Sequence, residues 1–274
     1  RGLAVGLAVL GFGLSPLVTA PLANALIATI GPLATMAWVG TGALLVIVLA
    51  GLPLRFPPAG WAPAGWTPTA AQAGTRDLSR SEMVRTGAFW GLWLCFFIGT
   101  VAGLMAIGIA SPVGQEVFLL PAATAAVLVG VFAVFNGVGR PLFGALVDRL
   151  GTRTTAIANL ALIAGAALLL WAGSGSGAWA VYVIGFAALW LCLGGWLAIA
   201  PACTAAYCGT RYYGPNYGLV FTAYGVGAIV GNLLAGTLRD LVGSYTAVFL
   251  PVAGLALLGI GIAALLLRPP FGTA

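Results

Sequence analysis

Of the eleven arginines in the chain, Arg140 is the one inside an apolar run; the others stand in or beside the connections between such runs or at the chain ends. The run behind it starts near Pro121 and is long enough to cross a bilayer, for which about 20 residues suffice. A guanidinium well inside such a run costs from ~3 to more than 10 kcal/mol, so it is tolerated where it faces the bundle interior, water or an anion. Its planar fork grips a carboxylate through two charge-assisted hydrogen bonds. Asn136, four residues earlier, shares its helix face and offers a neutral donor to the same anion. Gly137 and Gly139 thin the helix around the pair, and Pro141 removes a backbone donor and allows a bend. The chemistry expected here is anion binding by a fixed cation. A second reading stays open, in which Arg140 is tied to backbone carbonyls or snorkels to a surface about 10 Å away.

Catalysis has little to work with. The chain has no His, no Lys and five acids, and its four cysteines (Cys95, Cys192, Cys203, Cys208) lack metal-ligand spacing. General acid–base chemistry, a metal centre and a cofactor are therefore not expected, and the cysteines read as small core residues. The remaining class is a sensor that binds the anion and moves nothing, which accumulation of substrate against a gradient would exclude.

The elements that must position Arg140 follow from composition. Of 274 residues, 61% are hydrophobic and 6% charged, and the mean hydropathy is +1.10. A soluble chain carries about 25% charged residues, so lipid is the expected solvent for most of this surface. Eight apolar spans are predicted, at about 2–30, 33–54, 86–110, 120–147, 154–172, 178–206, 216–238 and 245–267. The first is expected to break at Pro16 and Pro21, and Gly31-Pro32 makes a tight turn after it. Residues 55–85 read as a polar linker with a short amphipathic helix near Leu78–Val84. Alternate connections put Arg1, Arg55, Arg76, Arg80, Arg85, Arg149, Arg153, Arg211 and Arg268 on one face and Arg239 on the other. That bias predicts a cytoplasmic linker and a cytoplasmic C-terminus. The net charge of +6 thus reports topology, and no nucleic acid is expected as a partner.

The most specific motif is Gly144-x-x-x-Asp148-Arg149-x-Gly151-x-Arg153. It resembles the cytoplasmic loop motif of the major facilitator superfamily. Gly144 permits close helix approach, Asp148 can bond backbone N–H groups or an arginine, and Gly151 makes the turn. By the resemblance this turn is a conformational latch. The fold implied is an all-α membrane bundle of twelve helices in two halves, of which this chain carries the fifth to the twelfth. Residues 1–54 would be the last two helices of the N-terminal half, 55–85 the central linker, 86–268 the C-terminal six-helix half and 269–274 a cytoplasmic tail. The chain starts at Arg1 without an initiator Met, which reads as a fragment. Gly11-Phe12-Gly13 and Gly225-Val226-Gly227 match where parallel repeats would place them.

The stretch Asn216–Gly227, together with Arg140, is similar to the oxalate/formate antiporter family, a branch close to the monocarboxylate/proton symporters. In the oxalate transporters the position matching Tyr224 is a lysine, which with the arginine clamps both carboxylates of oxalate. Here Tyr224 offers a phenolic hydroxyl instead, so the resemblance implies a monocarboxylate of the lactate, pyruvate or formate type. In eukaryotic monocarboxylate transporters the residue matching Asn136 is an aspartate assigned to the coupled proton; Asn136 cannot titrate. Trp196 and Phe221 are the candidates for aromatic lining of the cavity. Arg239, Asp240 and Tyr245 resemble an outer gate, with an interfacial ion pair as the plainer alternative, and Glu116 reads as a solvated loop residue.

The function implied is secondary transport of a small carboxylate anion across a bacterial inner membrane, by symport with a proton or by anion exchange. The chain would work as a monomer once its first helices are present. A dicarboxylate exchanger and a carrier of a non-carboxylate substrate are the alternatives.

Overall fold

In lipid every backbone polar group must find a partner inside the protein, which leaves helices as the spanning form for a chain without a closed sheet. The computed structural model describes residues 2–55, 58 and 76–270, and among these every regular element is helical. They are α1 Gly2–Ala8, α2 Leu10–Ile30, α3 Pro32–Gly51, α4 Arg80–Met83, α5 Gly87–Glu116, α6 Ala122–Leu150, α7 Thr152–Gly173, α8 Trp179–Cys208, α9 Tyr213–Val242 and α10 Phe249–Leu266, with 3-10 turns at Ser174–Ser176 and Tyr245–Val248. Among the described residues eight stretches are long and apolar enough to cross a membrane: Gly2–Ile30, Pro32–Gly51, Gly87–Glu116, Ala122–Leu150, Thr152–Ser176, Trp179–Cys208, Tyr213–Val242 and Tyr245–Leu266.

Two boundaries differ from the sequence reading. The first span is not broken at its prolines: Pro16 and Pro21 both lie inside α2, and the interruption falls at Val9. The Val9 carbonyl turns to accept the Phe12 N–H, three residues on, at 3.2 Å. The third span runs on through Pro112 to Glu116, because a proline costs a helix only a bond its neighbours can replace.

The chain divides into two units, residues 1–14 with 74–274, and residues 15–73. In the second, α3 begins after Gly31, whose φ of 78° suits glycine, and leaves Leu44, Ile47 and Leu49 exposed, as a lipid-facing helix would.

In the first unit α6 packs on α8, α5 on α9, α7 on α10 and α1 on α6. The core between them holds Phe96, Met105, Phe132, Leu160, Ile163, Phe186 and Phe249, all fully buried. Glycines set the closest approaches. A Cβ at Gly194 would strike the Asn136 carbonyl and one at Gly139 the Leu191 carbonyl, so α6 and α8 meet backbone to backbone. Gly2 and Gly144 face each other in the same way across α1 and α6.

Of the linker, residues 56, 57 and 59–75 lie outside the described residues. Its end is stitched to the turn before α9. Asp77 Oδ1 accepts the N–H groups of Thr210 and Arg211, both at 3.0 Å, the Leu78 N–H donates to the Cys208 carbonyl at 2.9 Å, and Asn216 Nδ2 donates to the Leu78 carbonyl at 2.8 Å. The expected short helix is α4, opened by a capping box in which Glu82 accepts from the Ser79 hydroxyl at 2.7 Å and its N–H at 2.9 Å.

Candidate anion site

Arg140 sits in the middle of α6, beside Asn136 on the same face, and is 1% exposed. Its Nη1 donates to the Val9 carbonyl at 2.7 Å and its Nη2 to Asn136 Oδ1 at 3.1 Å. Its Nε–H is buried and has no hydrogen-bond partner among the described residues. The Phe12 ring lies over the guanidinium, 4.8 Å from carbon to centroid. Gly13 brings α2 in so closely that a Cβ there would stand 2.8 Å from Nε and 2.9 Å from Asn136 Oδ1. The guanidinium therefore lies among helices and not toward lipid.

The environment of Asn136 sets its orientation. Its Nδ2 donates to the Trp190 carbonyl of α8 at 3.3 Å, which aims Oδ1 at Arg140. In this geometry Asn136 orients the guanidinium, and one of its two amide N–H groups is engaged by Trp190.

An aromatic ladder runs along α9. Tyr213 stacks on Tyr217 at 5.6 Å, Tyr217 meets Phe221 at 5.7 Å, and Phe221 stacks on Tyr224 at 5.0 Å with 7° between the planes. Spacings of four, four and three residues put the rings on one face. Phe221 is 40% exposed. Phe96 of α5 touches Phe221, Tyr224 and Trp196 at 6.2, 6.3 and 6.0 Å, so it joins α8 to the ladder. Trp196 itself is fully buried against Gly99, and its indole N–H has no partner among the described residues. It lies in the α5–α8 packing, one ring removed from the ladder.

Two charged clusters occupy opposite ends of these helices. At one end Asp148 accepts the N–H groups of Gly2 and Leu3, Arg149 is exposed, and Arg153 Nη2 donates to the Ala264 carbonyl at 2.5 Å, tying α7 to α10. At the other end Arg239 pairs with Glu116 at 3.3 Å and lies over the Tyr245 ring at 5.7 Å, while Asp240 is exposed. Glu116 is thus not merely solvated. The long α5 carries it to the end of α9, a meeting that a chain separation of 123 residues hides in sequence.

Arg140, Asn136, Tyr224 and Phe221 were legible as candidates, and Tyr217 could have been found from the ladder's spacing. Nothing in the sequence marks the Val9 carbonyl or the Phe12 ring as partners of Arg140.

Known proteins agree with this architecture. A model of the Major Facilitator Superfamily matches residues 1–215 and, in a second alignment, 115–273. The chain is similar to the oxalate:formate antiporter of Oxalobacter formigenes, 28% identical over 247 residues, covering 90% of this chain and 57% of that protein. It is also similar to an uncharacterized 38 kDa protein in the 23S RNA operon of Thermoproteus tenax, 29% identical over 255 residues, 92% of this chain and 59% of the other. The chain spans less than three fifths of the length of both relatives. With its family match and its eight membrane-length helices, the chain belongs to the Major Facilitator Superfamily of multi-pass membrane transporters.

Proposed function

We propose that the chain carries the anion-binding half of a secondary transporter for a small monocarboxylate, working in a bacterial inner membrane by alternating access. Arg140 neutralises the carboxylate, Asn136 holds the guanidinium, and Tyr224 and Tyr217 give hydroxyls to the anion's rim. Phe221 and the rings behind it, Phe96 and Trp196, exclude water. Asp148, Arg149 and Arg153 form the cytoplasmic latch, and Arg239, Tyr245 and Asp240 lie at the outer mouth. Residues 1–54 and 86–268 belong to the two halves, joined by a cytoplasmic linker.

The observation that carries this reading is the buried Arg140 guanidinium with an unpartnered Nε–H. A buried cation left short of partners is costly unless a ligand completes it. One cation matches one carboxylate, and the chain has no lysine to match a second. Asn136 does not titrate, so a coupled proton would travel on the substrate or the mode is exchange. Binding of formate, lactate and oxalate to the purified protein in nanodiscs tests the reading. Formate and lactate are expected to bind and to be lost together in Arg140→Ala; unchanged binding by that variant would overturn it.

The second reading is exchange of oxalate for formate, favoured by the similarity to the antiporter of that name. Counterflow in proteoliposomes separates the two: oxalate should compete poorly with labelled formate if the site is monovalent.

A further inference from the structure

We propose that the Val9 main-chain carbonyl is a built-in substitute for the substrate's carboxylate. It holds Arg140 while the site is empty, and an arriving anion displaces it and loosens α1 from α6 at that level. This rests on reading Arg140 as the anion's counter-charge.

Val9 is where α1 stops and α2 starts, although neither Gly nor Pro stands there. Its carbonyl accepts twice, from the Phe12 N–H at 3.2 Å and from Arg140 Nη1 at 2.7 Å. The shorter bond is the charge-assisted one, and it crosses from one helix to another. Gly13 and the Phe12 ring close the same stretch of α2 onto the guanidinium.

A two-point carboxylate grip on a guanidinium uses either Nε with one terminal nitrogen or both terminal nitrogens. Nε is buried beside Gly13 without a hydrogen-bond partner among the described residues, and each terminal nitrogen has given one of its two N–H groups to a protein oxygen. An anion that grips both terminal nitrogens competes with the Val9 carbonyl and Asn136 Oδ1 for the guanidinium, and that is the grip proposed. Asn136 rides on α6 with Arg140, so losing that bond moves no helix. Losing the Val9 bond removes the hydrogen bond that ties the α1–α2 junction to α6. A formal charge spread over two oxygens outcompetes a neutral carbonyl for the guanidinium, and that difference gives the ligand its leverage on the conformation.

The seam has a second fastening that the anion does not touch. Asp148 accepts from Gly2 and Leu3 at 2.8 and 2.9 Å, eight residues further along α6, about 12 Å at 1.5 Å per residue. Substrate thus releases the fastening at Val9 and leaves the one at Asp148, so α1 pivots about Asp148 and does not separate.

The test weakens one carbonyl without adding bulk. Leucic acid in place of Leu10, introduced by nonsense suppression, turns the Val9 carbonyl into an ester carbonyl, a poorer acceptor. The same replacement at Leu14 controls for the loss of a helical N–H. Formate and lactate affinities are measured by calorimetry in nanodiscs. The ester at position 10 should tighten binding about three- to tenfold, and the ester at 14 should leave it within twofold. Unchanged or weaker binding at position 10 would overturn the proposal. A second measurement uses the unmodified backbone: spin labels on Leu7→Cys and Leu142→Cys, both exposed positions, report the α1–α6 separation. Formate should shift that distance; binding without a shift also overturns it. A wild-type protein that binds neither anion, or an Arg140→Ala variant that binds both normally, would instead remove the underlying reading of Arg140.

Discussion

Asp148 holds the first turn of α1 from the far end of α6, its Oδ1 2.8 Å from the Gly2 nitrogen and its Oδ2 2.9 Å from that of Leu3. The carboxylate thereby ties two successive main-chain N–H groups of α1 to α6. Gly144 makes the arrangement possible, since any side chain there would push against the Gly2 carbonyl. The motif residue thus links two helices through residues 146 positions apart in the chain.

Replacing Asp148 should loosen that link. Asp148→Asn keeps an acceptor but loses the charge and should cost about 0.5–1 kcal/mol; Asp148→Ala leaves the N–H groups without it and should cost about 1–2 kcal/mol. Thermal unfolding in detergent at fixed salt checks the order. Equal melting temperatures for the wild type and Asp148→Ala would show that the contact carries no stability.

Arg140 should tolerate no replacement in binding, yet its variants should differ. Arg140→Ala removes the cation and should lower formate affinity by at least two orders of magnitude. Arg140→Lys keeps a point charge without the fork and should retain weak binding. Calorimetry in nanodiscs reads both. Equal loss in the two variants would mean that charge alone does not hold the anion.

Much of the fold was legible because lipid imposes a simple rule. Eight apolar runs predicted eight spanning helices, and the arginine-poor interior made Arg140 conspicuous. What escaped was main-chain chemistry. The break at Val9 has no residue signature, while Pro16 and Pro21 advertise a break that does not occur. Side-chain pairing across long separations escaped too: Arg239 lies next to Asp240 in sequence but pairs with Glu116, because helix length and not sequence proximity decides which ends meet.

The α6–α8 contact offers a test of packing. Gly194→Ala would drive a methyl into the Asn136 carbonyl, a backbone atom with little freedom to move, and should destabilise by about 1–3 kcal/mol. Gly165→Ala on α7 meets nothing within 4 Å and should be neutral or stabilising by up to ~1 kcal/mol. Paired melting curves compare them directly. Because Asn136 orients Arg140, Gly194→Ala should also weaken formate binding more than its stability loss explains.

The linker's capping box predicts a pH response. The Ser79 hydroxyl and N–H hold the Glu82 carboxyl below its ordinary pKa, with Arg76 adding to the effect. A lowered carboxylate pKa means that the folded helix favours the ionised form. Its contribution is present at neutral pH and fades as pH falls through the lowered value. Proteolysis at Arg80 and Arg85 should therefore be slow at pH 7 and faster under acid. Glu82→Gln should be cut faster at pH 7 and show a flatter pH profile.

On the proposed reading of the site, Tyr224 sets how many charges it can meet. It stacks on Phe221 and touches Phe96. Tyr224→Phe removes only the hydroxyl and should weaken formate binding several-fold, the worth of one hydrogen bond to a charged ligand. Tyr224→Lys places a second cation opposite the first. Two cations repel in the empty site, so this variant should be less stable without ligand and should bind formate no better than the wild type. Oxalate relieves the repulsion by bridging both charges, so its affinity should rise at least tenfold relative to formate. Competition between labelled formate and oxalate, with the melting temperature measured with and without oxalate, reads both effects. An unchanged oxalate-to-formate ratio in Tyr224→Lys would place residue 224 outside the anion's reach.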